Sequence, residues 1–144
     1  WVYHACPAES VTNIIENGFN RSYAGVNATK FGIGCYFARD ATYSARSTYS
    51  PEDKNGHKRI FMCRLALGAH CSVPFGTSCK EPPMRDTGSG SMMKMMGNVM
   101  APKGSLRFDC TTNDQYRDGV PEIMVAYKDN QAYAEYLVTF TMGF

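Results

Sequence analysis

Residues 29–50, TKFGIGCYFARDATYSARSTYS, carry the strongest fold signal in this 144-residue chain. The first half reads as a glycine-containing turn that runs into a short apolar strand over residues 34–38. The second half predicts a helix, with Asp40 as the N-cap and small residues at near-helical spacing after it. A loop, a strand end and a helix start therefore meet here, where backbone donors, hydroxyls and tyrosine rings can surround a flat, polar ligand.

The glycine pair of this stretch, Gly32 and Gly34, lets the main chain approach something bulky or turn with positive φ. The pair is not a dinucleotide fingerprint, because the third glycine is missing and the strand follows the glycines instead of preceding them. The sequence therefore excludes a Rossmann type of nucleotide site.

Length and composition indicate one domain over residues 1–144. The net charge of +2, without a basic run, argues against a sequence-independent nucleic-acid surface. No apolar run reaches membrane-spanning length and no signal peptide is visible, so we expect no membrane partner and a cytoplasmic or nuclear location. Because the chain starts directly on strand-like residues, we expect it to be the C-terminal piece of a longer protein.

The six cysteines contain no CxxC pair and half of them lie in apolar, strand-like runs. This pattern favours reduced, partly buried thiols over disulfides. A zinc site built from His70, Cys71 and Cys79 is the alternative, but its spacing matches no common template. We therefore predict no metal.

Periodicity predicts five or six strands and two helices, which favours an α+β domain with a split or mainly antiparallel sheet. The first helix is expected over residues 7–17, with an apolar stripe of Val11, Ile14 and Ile15 and with Gly18 as its C-terminal cap. Residues 69–105 read as irregular, with a Met-rich insertion over 76–105. Further strands are expected at residues 1–4, 59–67 (buried on both faces), 106–110, 122–127 and 134–141.

Four segments together resemble the catalytic domain of PARP-like ADP-ribosyltransferases, and most closely the mono-ADP-ribosylating branch. They are Tyr3-His4, GFNRSYAGVNATKFGIGCYFARDATYS, PEIMVAY and NQAYAEYLVTF. The resemblance implies an ADP-ribosyltransferase-like fold, a split and mainly antiparallel β-sheet core with few helices. It also implies an enzyme that moves one ADP-ribose from NAD, as co-substrate, to a protein side chain and releases nicotinamide.

The resemblance also implies roles for individual residues. His4 matches the histidine that hydrogen-bonds the ribose carrying the nicotinamide, Tyr36 the tyrosine of the nicotinamide pocket, and Ser44 the serine that meets the carboxamide. Tyr49 is the candidate for the second stacking ring. Residues 18–34 would cover NAD and residues 111–121 would shape acceptor access. The other positions implied in NAD binding are Ala5, Cys6, Asn20, Arg21, Gly34, Phe37 and Ala38.

The third catalytic position separates single-unit transfer from chain elongation. Polymerases of the family carry a glutamate there, whereas the register anchored on Pro121 places Ile123 at this position. An isoleucine cannot hydrogen-bond an acceptor ribose, so we predict transfer of a single unit. A slip of one residue would bring Glu122 to the active face instead, since neighbours in a strand point to opposite faces.

Two departures from the family pattern leave a second function open. The family histidine is normally followed by glycine and then serine or threonine, whereas Ala5 and Cys6 follow His4 here. Ala5 fits only with negative φ, and a thiol is a weaker hydrogen-bonding group than a hydroxyl. The alternative is therefore a catalytically weak or inactive module that binds NAD-like ligands or a partner. Nicotinamide-like inhibitors are expected to bind, and the acceptor is another protein, the chain itself or a nucleic-acid end.

Overall fold

A computed structural model describes residues 1–20, 30–85 and 106–143. Its helices are a 3-10 turn, Ala8–Ser10, followed by α1, Val11–Asn17, and the short α2, Ala41–Ser44. Its strands are β1 Val2–Ala5, β2 Cys35–Ala38, β3 Lys58–Leu65, β4 His70–Ser72, β5 Cys110–Thr112, β6 Tyr116–Arg117, β7 Val120–Pro121, β8 Ile123–Ala126 and β9 Ala132–Phe140.

Seven of these strands form one sheet in the order β4-β5-β8-β2-β1-β3-β9, and β6 pairs with β7 in a separate hairpin. All neighbours in the sheet run antiparallel except β4 and β5. The α+β class with a mainly antiparallel sheet is therefore confirmed. Within the described ranges, no helix has the length and apolar character needed to cross a membrane.

Within the sheet, the strand pairing is shortest between β1 and β2, which pair through Tyr3 and Ala38 alone. By contrast, β1 pairs with β3, and β2 with β8, along four consecutive residues. Beyond the Tyr3 pair, the two strands separate and the His4 ring bridges the gap to the Tyr36 carbonyl. The split of the sheet lies at this junction, and it opens a pocket between the two strands.

An apolar cluster on one side of the junction forms the core. Phe19 lies between Phe37 of β2 and Phe61 of β3, with ring centroids 5.0 and 6.3 Å away in edge-to-face geometry. Such aromatic packing fixes the two strands relative to each other through large buried surfaces. The core therefore supports both walls of the pocket.

The first helix has the predicted C-terminal cap, but its apolar stripe differs from the prediction at one residue. Gly18 caps α1 with φ of +69°, and its N–H donates to the Ile14 carbonyl, as expected for a C-terminal glycine. Ile14 is buried, but Ile15 is 62% exposed, so the predicted stripe is wrong at that residue. A helix of seven residues turns Ile15 away from the core side that Val11 and Ile14 share.

The predicted strand 106–110 is wrong except at its last residue, because β5 starts at Cys110. The preceding residues pair instead with the segment around Met84, through a bridge from Met84 to Arg107 and a Phe108 N–H bond to the Pro83 carbonyl. The prediction that residues 69–105 are wholly irregular is also wrong, since β4 lies there and pairs in parallel with β5. Residues 86–105 of the Met-rich insertion fall outside the described residues.

Two further local predictions need correction. The strand β3 is buried over most of its first half, but Arg64 is exposed. The prediction that this strand is buried on both faces along its whole length is therefore wrong. Asp40 occupies the N-cap position of α2, but its side chain makes no capping hydrogen bond. Its carboxylate pairs instead with Arg39 and Arg117, whose donors hold the pKa of Asp40 below its ordinary value.

Candidate active site

The pocket at the junction of β1 and β2 has a volume of about 430 Å³. Its lining includes every predicted site residue that the structure describes, and only Arg21 lies outside the described residues. Residues far apart along the chain therefore meet at one place. These lining residues are His4, Ala5, Cys6, Asn20, Gly34, Tyr36, Phe37, Ala38, Ser44, Tyr49 and Ile123.

The His4 ring is held in one tautomer by the main chain. Its Nδ1 lies 2.7 Å from the Tyr36 carbonyl oxygen. A carbonyl can only accept, so Nδ1 carries the proton and Nε2 of the neutral ring is an acceptor. Burial lowers the pKa of His4, and the hydrogen bond to Tyr36 offsets part of this effect. At neutral pH the ring therefore offers an unprotonated nitrogen.

The Tyr36 phenol is anchored to the loop that precedes β2. Its hydroxyl donates to the Gly32 carbonyl at 2.7 Å and accepts the Phe31 N–H at 2.9 Å. Burial raises the pKa of Tyr36, so the hydroxyl stays protonated at neutral pH. With both hydrogen-bonding directions used by the loop, this side chain offers its ring to the pocket.

Ser44 and Tyr49 lie on the side of the pocket formed by α2 and the turn after it. The buried Ser44 hydroxyl donates to the Tyr3 carbonyl at 3.2 Å, which leaves its oxygen able to accept. The Tyr49 ring stacks on Tyr43, with centroids 5.2 Å apart and planes inclined by 17°, and their hydroxyls are 3.0 Å apart. Tyr49 thus reaches the pocket as half of a tyrosine pair.

The two departures after His4 have different structural consequences. Among the described residues, Asp118 is the sole non-glycine with positive φ, so Ala5 replaces the family glycine without backbone strain. Cys6 is 4% exposed, and burial raises its pKa to about 11. Its thiol is therefore neutral and packs in the core while also reaching the pocket wall.

The register of β8 separates Ile123 from Glu122. Ile123 is buried opposite Ala38 and lines the pocket, and its N–H donates to Asn113 Oδ1 at 3.0 Å. Glu122 does not line the pocket, and its carboxylate accepts from Asn113 Nδ2 at 3.1 Å. One asparagine side chain therefore contacts both neighbours, with the isoleucine on the pocket side.

Several lining residues were missed by sequence reasoning. Glu9 and Asn13 stand four residues apart and share one side of the first helical segment, a spacing that would have predicted a polar face toward the site. Lys30 lies within the covering segment 18–34, but sequence reasoning gave this residue no role of its own in the pocket. Tyr43 carried no separate signal, because its contact with Tyr49 depends on the turn between them.

The comparisons agree with this architecture. The family model of the poly(ADP-ribose) polymerase catalytic domain matches residues 1–142, and the chain belongs to this family. It is 36% identical over 139 residues to protein mono-ADP-ribosyltransferase PARP14 of Homo sapiens, covering 96% of this chain and 7% of that protein. It is 31% identical over 138 residues to protein mono-ADP-ribosyltransferase PARP10 of Mus musculus, covering 96% of this chain and 12% of that protein.

The chain therefore spans only a small part of the length of these two relatives. Within the part of the chain that the structure describes, no group of three or more His, Cys, Asp or Glu side chains is placed to hold a metal ion. All six cysteines are free.

Proposed function

We propose that this domain is a mono-ADP-ribosyltransferase that moves one ADP-ribose from NAD to a protein side chain and releases nicotinamide. The observation that carries the proposal is the meeting of His4, Tyr36 and Ser44 in one pocket at the split of the sheet. Membership of the family and the names of the relatives, both mono-ADP-ribosyltransferases, support the same reaction.

The pocket suits the nicotinamide end of NAD. Its volume lies within the range of about 300–1,000 Å³ that small-molecule sites have. The ring faces of Tyr36 and Tyr49 can flank a flat heterocycle, and the Ser44 oxygen can meet its carboxamide. His4 Nε2 can accept a hydrogen bond from a ribose hydroxyl, since Nδ1 holds the proton.

The charges around the pocket fit the breakage of a glycosidic bond, in which positive charge develops on the ribose. His4 is neutral at neutral pH, and the aromatic faces tolerate a nearby cation. Among the described lining residues, Lys30 is the one lysine or arginine, and Glu9 also lies on the wall. The residues of this chain thus hold the substrate, and apart from Lys30 no described lining side chain carries a positive charge that would repel the developing cation.

We propose Ile123 as the residue that restricts the reaction to a single unit. Its hydrocarbon side chain occupies the pocket wall and cannot accept a hydrogen bond from the ribose of a growing chain. Glu122 is engaged by Asn113 and lies off the wall, which disfavours the polymerase alternative.

The test is incubation of the domain with labelled NAD, followed by mass spectrometry of the domain and of added acceptor proteins. We expect adducts of one ADP-ribose, released nicotinamide, and inhibition by nicotinamide-like compounds. His4→Gln should lower transfer at least tenfold, whereas Glu122→Gln is the matched control and should retain transfer. Ladders of long products that disappear in Glu122→Gln would instead establish the polymerase.

A second candidate function is a ligand-binding module without turnover. The observation in its favour is Cys6, whose protonated, buried thiol replaces a hydroxyl that the family uses. A melting temperature raised by nicotinamide or NAD, with no adduct and no released nicotinamide, would support this candidate. Restoring turnover with Cys6→Ser would show that the thiol causes the loss.

A further inference from the structure

A buried chain of hydrogen bonds lies behind residues 30–34, the loop that anchors Tyr36. Thr111 Oγ1 is 2.6 Å from the Phe31 carbonyl oxygen and 2.7 Å from Tyr127 Oη. Tyr127 Oη also lies 3.3 Å from Cys79 Sγ. Thr111 and Tyr127 are 0% and 3% exposed, and neither is among the residues that line the pocket.

The Phe31 carbonyl determines which group donates in each hydrogen bond of this series. The Phe31 carbonyl can only accept, so Thr111 uses its one hydrogen there. Tyr127 must then donate its hydrogen to Thr111, and the Cys79 thiol is left to donate to Tyr127. Burial raises the pKa of Tyr127, which keeps the phenol protonated and able to donate.

The main chain of Phe31 connects this buried chain to the pocket. Its carbonyl accepts from Thr111, while its N–H donates to Tyr36, whose hydroxyl donates in turn to the Gly32 carbonyl. Hydrogen bonds in series polarise one another and strengthen the whole chain. The orientation of the Tyr36 ring is therefore linked to two buried hydroxyls that have no contact with the pocket.

Gly32 lets the two parts approach each other. It has φ of +126°, and a Cβ at this position would lie 1.8 Å from Tyr127 Oη and 3.1 Å from Thr111 Oγ1. The tyrosine hydroxyl thus packs directly against the main chain of the loop. No side chain fits between them.

We infer that Thr111 and Tyr127 are positioning residues of the transfer reaction, which hold the Tyr36 ring in its NAD-binding orientation through the main chain of residues 31–32. The inference rests on the proposed function of the pocket. Without either hydroxyl, the loop loses its buried side-chain anchor at Phe31, while the bonds of Ile33 N–H to the Cys79 carbonyl and of Gly76 N–H to the Lys30 carbonyl remain. The Tyr36 ring then samples more orientations, and NAD binds less tightly because it must select one of them.

The test compares NAD affinity with thermal stability in paired variants of the domain. Thr111→Val keeps the volume and removes the hydroxyl, whereas Thr111→Ser keeps the hydroxyl and removes a buried methyl. We expect both to lower the melting temperature, but only Thr111→Val to weaken NAD binding, by about five- to tenfold. Tyr127→Phe should behave like Thr111→Val, and the exposed Tyr133→Phe is the matched control without effect.

Because Thr111 and Tyr127 belong to one series of hydrogen bonds, the double variant should lose less NAD affinity, in free energy, than the sum of the two single losses. Equal NAD affinity of Thr111→Ser and Thr111→Val would overturn the inference. A loss of affinity that follows the melting temperature across all variants would also overturn it.

Amide hydrogen exchange at Phe31, measured without NAD, separates this inference from the proposed function. We expect faster exchange in Thr111→Val and Tyr127→Phe, but exchange in Thr111→Ser as in the parent domain. If the parent domain does not bind NAD, the proposed function fails while the exchange still tests the positioning. Unchanged exchange in Thr111→Val would contradict the positioning even where NAD binds.

Discussion

Two loops place tyrosines that line the pocket, one by anchoring Tyr36 of β2 and the other by carrying Tyr49, and the two loops are held in different ways. Residues 30–34 anchor Tyr36 through hydroxyls and main-chain groups, with Thr111 behind them fully buried. Residues 46–50 carry Tyr49, whose hydroxyl is hydrogen-bonded to that of the neighbouring Tyr43. The first loop is held by the sheet behind it, whereas the second is held mainly at its end.

The anchor of the second loop is Ser50, which is 0% exposed. The strand β1 ends opposite Ile60, so Arg59 has no partner strand on that side. The Ser50 hydroxyl replaces the strand, since it accepts the Arg59 N–H at 3.0 Å and donates to the Arg59 carbonyl at 2.9 Å. A second contact joins the buried Lys58 ammonium to the Ser47 hydroxyl at 3.1 Å.

The two loops differ in what lies behind them, since Gly32 packs against the buried Tyr127 hydroxyl whereas the Tyr49 ring stacks on Tyr43. Both loops are short, and each helps to place one tyrosine that lines the pocket. The first has no room for a methyl group at Gly32, whereas the second is held at its tyrosine by ring stacking and a part-buried hydrogen bond. Changes in the first loop should therefore have larger effects than changes in the second.

The largest effect is expected from Gly32→Ala. The new Cβ would clash with the Tyr127 hydroxyl, and the positive φ adds strain, so we expect a loss of about 4 kcal/mol or more in stability. Gly56→Ala is the matched control, since Gly56 has φ of +76° and open space around it. It should lose only about 1–2 kcal/mol. Denaturant unfolding measures both, and equal losses would show that the contact with Tyr127 is loose.

A smaller effect is expected from Ser50→Ala, which leaves the N–H and C=O of Arg59 without their partner. A buried hydrogen-bonding group without a partner costs about 1–3 kcal/mol, so we expect the melting temperature to fall by several degrees. NAD affinity should fall as well, because Tyr49 precedes the anchor directly. Ser78→Ala, at an exposed site, is the control. A variant that melts like the parent would mean that water replaces the hydroxyl.

The pH dependence tests the side of the pocket that holds Tyr36. Burial lowers the pKa of His4 in the folded state below 6.5, its value in the unfolded chain. At pH values between the folded-state and unfolded-state pKa, the unfolded chain therefore binds more protons than the folded one. Stability should therefore rise with pH through this window and become level above 6.5, with a slope of at most about 1.4 kcal/mol per pH unit.

The measurement is urea unfolding of the parent domain and of His4→Gln at a series of pH values from 5 to 8. The variant should lack this part of the slope. An identical slope in both proteins would contradict the assignment of the lowered pKa to His4.

The smallest effect is expected from Tyr49→Phe. The ring that faces the pocket remains, and only the partly exposed bond to Tyr43 is lost, so NAD affinity should change by less than about threefold. Tyr49→Leu also removes the ring and should weaken binding by about three- to tenfold, the usual contribution of an aromatic pair. Calorimetric titration with NAD measures both variants. A larger loss in Tyr49→Phe than in Tyr127→Phe would reverse the comparison of the two loops.

Several features could be predicted because they depend on local patterns. The helix cap at Gly18, the strand at residues 35–38 and the mainly antiparallel sheet follow from periodicity and turn chemistry. The strand β4 and the start of β5 could not, because each is a short segment whose pairing depends on the other. Ile15 was misjudged because a short helix buries only the side that its neighbours reach.

The class of the domain and the residue types available to the site follow from the amino-acid sequence alone, because spacing and side-chain chemistry are local properties of a chain. It placed His4, Tyr36 and Ser44 in an order that resembles one family. The separation of β1 and β2 after one residue pair, and the position of Thr111 and Tyr127 behind the loop, become visible only in the folded domain. Those features arise from contacts between residues up to 80 positions apart, which folding brings together and no local pattern records.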